Sequence, residues 1–200
     1  MAGQGGLDSV TKQITIAQSD PTACQGTQLG FLAGCTSKTW KLDPAAGAYK
    51  VGPNPNDGSW WSSGAGDVTT RSCEFNDEYT FYFNANQTFT YDNKGDFFGD
   101  GYLGNNTGTC QPSTNDKANE TPWESGTFKY SFVPNAGNKK LGQLTLIGTG
   151  ARIGLQKVRN GGENTTTSAS TITYDVLAAT HVAAGNYDLL TLGVDLGYGW

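Results

Sequence analysis

The stretch EYTFYFNANQTFTYD, residues 78–92, decides the architecture. Tyr79, Phe81 and Phe83 alternate with Thr80 and Tyr82, and Phe89 and Tyr91 alternate with Thr88 and Thr90. Successive side chains of a strand point to opposite faces, so this period of two marks half-buried strands. The Asn-rich residues 84–87 between the two runs supply a turn. The pair reads as an antiparallel hairpin with an aromatic inner face.

The pattern recurs outward along the chain. KTWKL (38–42) is a first strand, with Trp40 expected in the core. Phe128, Tyr130 and Phe132 alternate. Leu144 and Leu146, followed by Ile153 and Leu155, suggest a second hairpin. Ile172, Tyr174 and Val176 alternate, as do Leu190, Leu192, Val194 and Leu196. Tyr187 and Leu189 lie out of phase with the last run, which a bulge near Leu189 would repair. A helical period surfaces only weakly, in the Ala-rich residues 176–184, which read as a helical turn or a loop. The expected fold is all-β, an antiparallel β-barrel or β-sandwich of about eight strands with long loops. The connections 54–71 and 97–123 are rich in Gly, Asn and Trp, and loops of that length are where a site belongs.

Composition bounds the function. The chain has 200 residues, of which 36 are Ile, Leu, Val or Phe. That is few for a globular domain, but a net charge of -5 and 12% aromatic residues still permit a core built on Phe and Tyr. The 13 Lys and Arg residues are scattered and the pI is about 4.7, so no nucleic-acid partner is expected. No run of 18 apolar residues occurs, so no membrane insertion is expected. No charged n-region followed by an apolar h-region opens the chain, so a protein that reads as exported is expected to have lost a targeting segment.

Four cysteines, Cys24, Cys35, Cys73 and Cys110, show no CxxC spacing, which argues against zinc or thioredoxin-like chemistry. An even count fits an oxidising compartment. Three pairings are possible. Cys24–Cys35 with Cys73–Cys110 is favoured, because it closes one short Gly-rich loop and ties a strand start to a long loop.

Two resemblances follow from these residues. DSVTKQITIA (8–17) resembles the closing strand of a PKD domain, so residues 1–19 are expected to end a preceding domain or linker. Residues 20–36 then form a Gly/Cys-rich connector. SKTWKL (37–42), VGPNPNDGSWW (51–61), RSCEFNDEYTF (71–81) and the hairpin after them resemble the lipocalin-like β-domains that follow PKD modules. Those domains occur in surface glycan-binding proteins and in carbohydrate-active enzymes of polysaccharide-utilisation systems. The resemblance covers about residues 35–200. It implies a secreted or cell-surface carbohydrate-binding domain over 37–200, neighbouring domains in a longer chain, a polysaccharide partner, and a β-glucan such as laminarin as the first ligand to consider.

Sugar rings offer apolar C–H faces and a rim of hydroxyls, which flat aromatic rings and short polar side chains complement. Trp60, Trp61, Tyr102 and Trp123 are the expected platforms, joined by Trp200 at the end. On a strand, one of the adjacent Trp60 and Trp61 would face inward; on a loop, both can face out. Asp57, Arg71 and Asp96 are the expected hydroxyl partners, with Asp67 and Asp100 nearby. The non-catalytic reading rests on geometry. A glycosidase needs two carboxylates about 5–9.5 Å apart. In the acidic cluster Glu74, Asp77 and Glu78, a strand would set Glu74 and Glu78 roughly 13 Å apart. His181, the one histidine, has no GxSxG-type nucleophile beside it. No cofactor is expected; a structural calcium ion among Asp92, Asn93, Asp96 and Asp100 would lack the D-x-[DN]-x-[DN]-G pattern. The alternative is a structural or adhesive module that self-associates through exposed strand edges. A small apolar ligand inside the barrel is disfavoured by bulky inward residues such as Phe81, Phe83 and Phe128.

Overall fold

The computed structural model describes residues 23–99, 107–113, 124–164 and 169–200. The PKD-like segment 1–19 lies outside them. Seven strands form one antiparallel sheet curled into a half-barrel: β1 (Ser37–Trp40), β4 (Glu78–Tyr82), β5 (Thr88–Asp92), β8 (Gly126–Val133), β9 (Gln143–Ile147), β12 (Thr171–Val182) and β13 (Tyr187–Gly193), in that spatial order. The strand numbers left out belong to three two-stranded ribbons: β2 (Lys50–Val51) with β3 (Trp61–Ser62), β6 (Asp96–Phe98) with β7 (Cys110–Pro112), and β10 (Val158–Arg159) with β11 (Gly162–Glu163).

The inner face is the aromatic face the alternation specifies. Tyr79 and Phe81 of β4 and Phe89 and Tyr91 of β5 are buried, and the register pairs Tyr79 with Tyr91 and Phe81 with Phe89. Phe81 and Phe89 meet at 4.9 Å between ring centroids, and Tyr130 closes on Phe81 edge-on at 5.1 Å. Leu144, Leu146, Ile172, Tyr174 and Val176 complete the core.

Three expectations are corrected here. Ile153 and Leu155 do not form a hairpin arm with Leu144 and Leu146. Strand β9 pairs instead with β8 and β12, and the chain leaves the sheet at Gly148, whose N–H reaches Ser170 O. Ile153 serves the core from a loop, with its N–H donated to Tyr174 Oη at 2.9 Å. The Ala-rich stretch is strand up to Val182, because pairing with β13 overrides a sequence that carries no alternation of its own. The bulge lies not at Leu189 but across the ladder, at Leu177, where the register shifts between Val176 and Ala178.

The Gly/Cys-rich segment belongs to the same core. Helix α1 (Gln28–Ala33) buries Leu32 and Ala33, and its Thr27 cap accepts from Gly30 N–H at 2.9 Å. Trp40 is half-buried and donates its indole N–H to Leu32 O at 2.7 Å. Lys38 of β1 reaches Asp188 of β13 at 2.5 Å, so an ion pair crosses the gap between the two edge strands. The disulfides are Cys24–Cys35 and Cys73–Cys110, as favoured from the sequence and as suits an oxidising environment. No helix among the described residues is long and apolar enough to cross a membrane.

The topology sorts the connections. The short turns after β4, β8 and β12 lie at one end of the half-barrel, and the insertions between β1 and β4, β5 and β8, and β9 and β12 lie at the other. All three ribbons belong to that second end.

Candidate functional site

The β2–β3 ribbon carries the paired indoles. Trp60 precedes β3 and Trp61 opens it, and both are exposed, at 52% and 38%. Their backbone is fixed from two sides. Trp60 N–H bonds to Val51 O at 3.1 Å within the ribbon. Beside it, Gly52 and Trp200 exchange both backbone hydrogen bonds, at 3.0 and 2.7 Å, so the C-terminal stretch lies against the ribbon as an added rung. This brings Tyr198, 59% exposed, next to Trp60, with ring centroids 6.5 Å apart and planes only 22° apart. Gly199 makes the approach possible: a Cβ there would sit 2.4 Å from Trp60 Cζ3.

Trp61 is supported from behind. Its ring stacks on buried Tyr49 at 6.3 Å, and Tyr49 in turn meets Phe75 edge-on at 6.1 Å. Asp57 shapes the loop before the indoles. Its Oδ1 accepts the Ser59 N–H at 2.8 Å, and the Ser59 backbone and hydroxyl hold its carboxyl below the ordinary value. Tyr198 donates its hydroxyl to Glu163 at 3.1 Å; partial desolvation, and then that carboxylate, raise its pKa.

The structure therefore gathers Asp57, Trp60 and Trp61 on one ribbon and adds Tyr198, which sequence reasoning missed. The signal available was the glycine-spaced GYGW, residues 197–200. Arg71 and Asp96 lie outside this ribbon, on the N-terminal side of the helix Ser72–Phe75 and on β6. Arg71 is clamped to Glu74 at 2.5 and 3.2 Å and lies 3.9 Å over the Phe98 ring. Asp96 opens β6 and accepts from Asn76 Nδ2 at 3.2 Å. Tyr102, Trp123 and Asp100 lie outside the described residues.

The acidic cluster is not laid out along one strand. Glu74 belongs to α3 (Ser72–Phe75), while Glu78 begins β4 and takes Lys41 and Lys94 at 2.9 and 2.7 Å. Asp77 turns into the core at 2% exposure. There Tyr91 and Tyr79 donate to its Oδ2 at 2.9 and 3.3 Å, Arg152 donates to the Tyr91 hydroxyl at 2.6 Å, and Oδ1 has no hydrogen-bond partner among the described residues. Burial dominates over these bonds and over Arg152, and pushes the Asp77 carboxyl up to about 7. The carboxyl is thus buried in the core between two tyrosine hydroxyls. His181 is exposed near the end of β12, on the face it shares with its rung partner Asp188, with Nδ1 2.7 Å from that carboxylate. The oxygens weighed for calcium go to turns: Asp92 takes Lys94, and Asn93 Oδ1 takes Gly95 N–H and the Ser125 hydroxyl. Among the described residues no three acidic, cysteine or histidine side chains converge to hold a metal ion.

No protein-family model matches this chain, and no curated protein matches it.

Proposed function

We propose that the protein is a non-catalytic carbohydrate-binding module that captures a polysaccharide by aromatic stacking, on the cell surface or as a secreted protein. The Trp60–Tyr198 pair supports this most: two near-parallel rings, each more than half exposed, carried on backbone locked by the Gly52–Trp200 bonds. A pyranose C–H face packs on such a ring, and little ordering is lost because the rings already hold each other in place. Asp57, Ser59 and Glu163 stand close by as a polar fringe for hydroxyls. Affinity is modest, since an open platform removes little surface from water. A β-glucan is the first choice of ligand, on the strength of the resemblance to glycan-binding β-domains.

Affinity electrophoresis against laminarin and a panel of other soluble polysaccharides tests this. At least one glycan should retard the protein, and Trp60→Ala should weaken that binding about tenfold, since stacking on one ring contributes about 1–2 kcal/mol. A protein that migrates unchanged in every glycan ends the proposal.

A further inference from the structure

A second concavity lies on the outer face of the sheet, where the C-terminal stretch folds back. Gly197 adopts φ 82° and Leu196 N–H bonds to Gly199 O at 2.8 Å, which returns Trp200 toward Gly193. A Cβ on Gly193 would lie 3.0 Å from Trp200 Cε3, so the indole rests on bare backbone. Its side chain walls a cleft of about 140 Å³ that also takes in Asn138, Gln143, Asn160, Asp175 and Asp195.

This cleft differs from an ordinary groove between loops. Apart from the indole, Thr173 and Gly193, its lining is amide and carboxylate. Asp175 is 8% exposed, accepts from Asn138 N–H and Gln143 Nε2 at 2.9 Å each, and has no cationic partner among the described residues. A carboxylate oxygen can accept two hydrogen bonds, so each Asp175 oxygen keeps a further acceptor site. Asn160 is fixed by two bonds to the Thr173 backbone, at 2.7 and 2.8 Å, and Asp195 by the Gly197 N–H at 2.7 Å. Asn138 is exposed and its side-chain amide makes no hydrogen bond among the described residues. Rigid acceptors, one free amide and a ring wall suit a neutral molecule with several adjacent hydroxyls. They do not suit an anion, which two carboxylates would repel.

The geometry points to a subsite for a single pyranose residue, the end of the glycan chain, with its C–H face on Trp200 and its vicinal hydroxyls on Asp175, Asp195 and Asn138. The volume of about 140 Å³ is well under the ~300–1,000 Å³ of sites that enclose drug-sized ligands, which matches a single sugar residue better than an oligosaccharide. The subsite rests on the carbohydrate-capture reading and extends it. Tyr198 and Trp200 come from one turn, so the platform and the cleft lie on either side of the same three residues.

Isothermal titration of the whole protein with laminarin and with laminaritriose, which is rich in chain ends, separates the two sites; should another glycan of the panel bind instead, its polymer and trisaccharide are used. Trp200→Ala should cut trisaccharide affinity about tenfold and Asn138→Ala about fivefold, the loss of one stacking contact or one hydrogen bond. Trp200→Phe should restore most of it. Asn138→Ala changes an exposed side chain, so it reports even if Trp200→Ala unfolds. If both variants bind polymer and trisaccharide as the parent does while Trp60→Ala binds weakly, the subsite is wrong and the capture reading stands. If the parent binds no glycan, the capture reading fails and the subsite with it. Calcium binding that Asp175→Asn abolishes, with trisaccharide affinity unmoved, would reassign the cleft to a cation and overturn the proposal.

Discussion

The inner face of the half-barrel and its ribbon-bearing end both depend on aromatic rings, but the rings are placed by different means. Inside, Tyr79, Phe81, Phe89 and Tyr91 are positioned by strand alternation and by partners one rung away. Outside, Trp60 and Tyr198 are positioned by a backbone pairing between residues far apart in sequence and by the missing side chain of Gly199. The first arrangement stabilises the fold by hiding rings. The second leaves rings in water at a cost in hydrophobic free energy, which makes sense where a ligand is to cover them.

Truncating one ring in each region should expose the difference most strongly. Phe81→Ala removes a fully buried ring from between Phe89 and Tyr130 and should lower stability by about 3–5 kcal/mol. Trp60→Ala should change stability by less than about 1 kcal/mol, as surface changes do. Urea unfolding of both variants decides the matter; equal losses would mean that the Trp60 pair is part of the core framework.

The buried acid sharpens the contrast through pH. Burial pushes the Asp77 carboxyl up to about 7 in the fold, against an ordinary value of 3.8 in the unfolded chain. Below both values it is protonated in each state and costs nothing. As pH rises from about 4 to 7 the unfolded chain ionises first, so stability falls across that window by at most roughly 4 kcal/mol and then levels off. Thermal unfolding should show a lower Tm at pH 7 than at pH 4 from this group, and Asp77→Asn should flatten the slope. A slope unchanged in the variant would place the acid elsewhere.

A smaller effect joins the two regions. Cys73–Cys110 spans 37 residues and ties α3 to β7 at the ribbon end. Replacing both cysteines with Ala should cost about 3–4 kcal/mol in the chain-entropy account. Glycan binding at Trp60 should persist below the lowered Tm, since the ribbon carrying Trp60 is held by Trp200 rather than by this bridge. Loss of binding at 10 °C in a folded variant would show that the ribbon end is one cooperative unit.

Much of the sheet was legible in the sequence, because period-two patterning with aromatic residues admits one reading at 79–91 and at 128–132. It failed at 176–182, where Ala and Thr offer no contrast between faces and only the partner strand fixes the conformation. Ile153 misled for the opposite reason: a loop residue can be apolar when it drops into the mouth of the barrel. Trp60 and Trp61 stood out by residue type. Tyr198 did not, since its neighbour in space is some 140 positions away in sequence, a distance no local pattern reports. Asp77 was legible as an acid and not as a buried one, because its closer tyrosine donor, Tyr91, is brought to it by strand register.

The reciprocal bonds between Gly52 and Trp200 join positions about 150 residues apart, whereas every hairpin of the sheet closes over a far shorter loop. Loop-closure entropy makes that rung costlier to bring together than any of those hairpins, so it forms on a sheet that is already assembled.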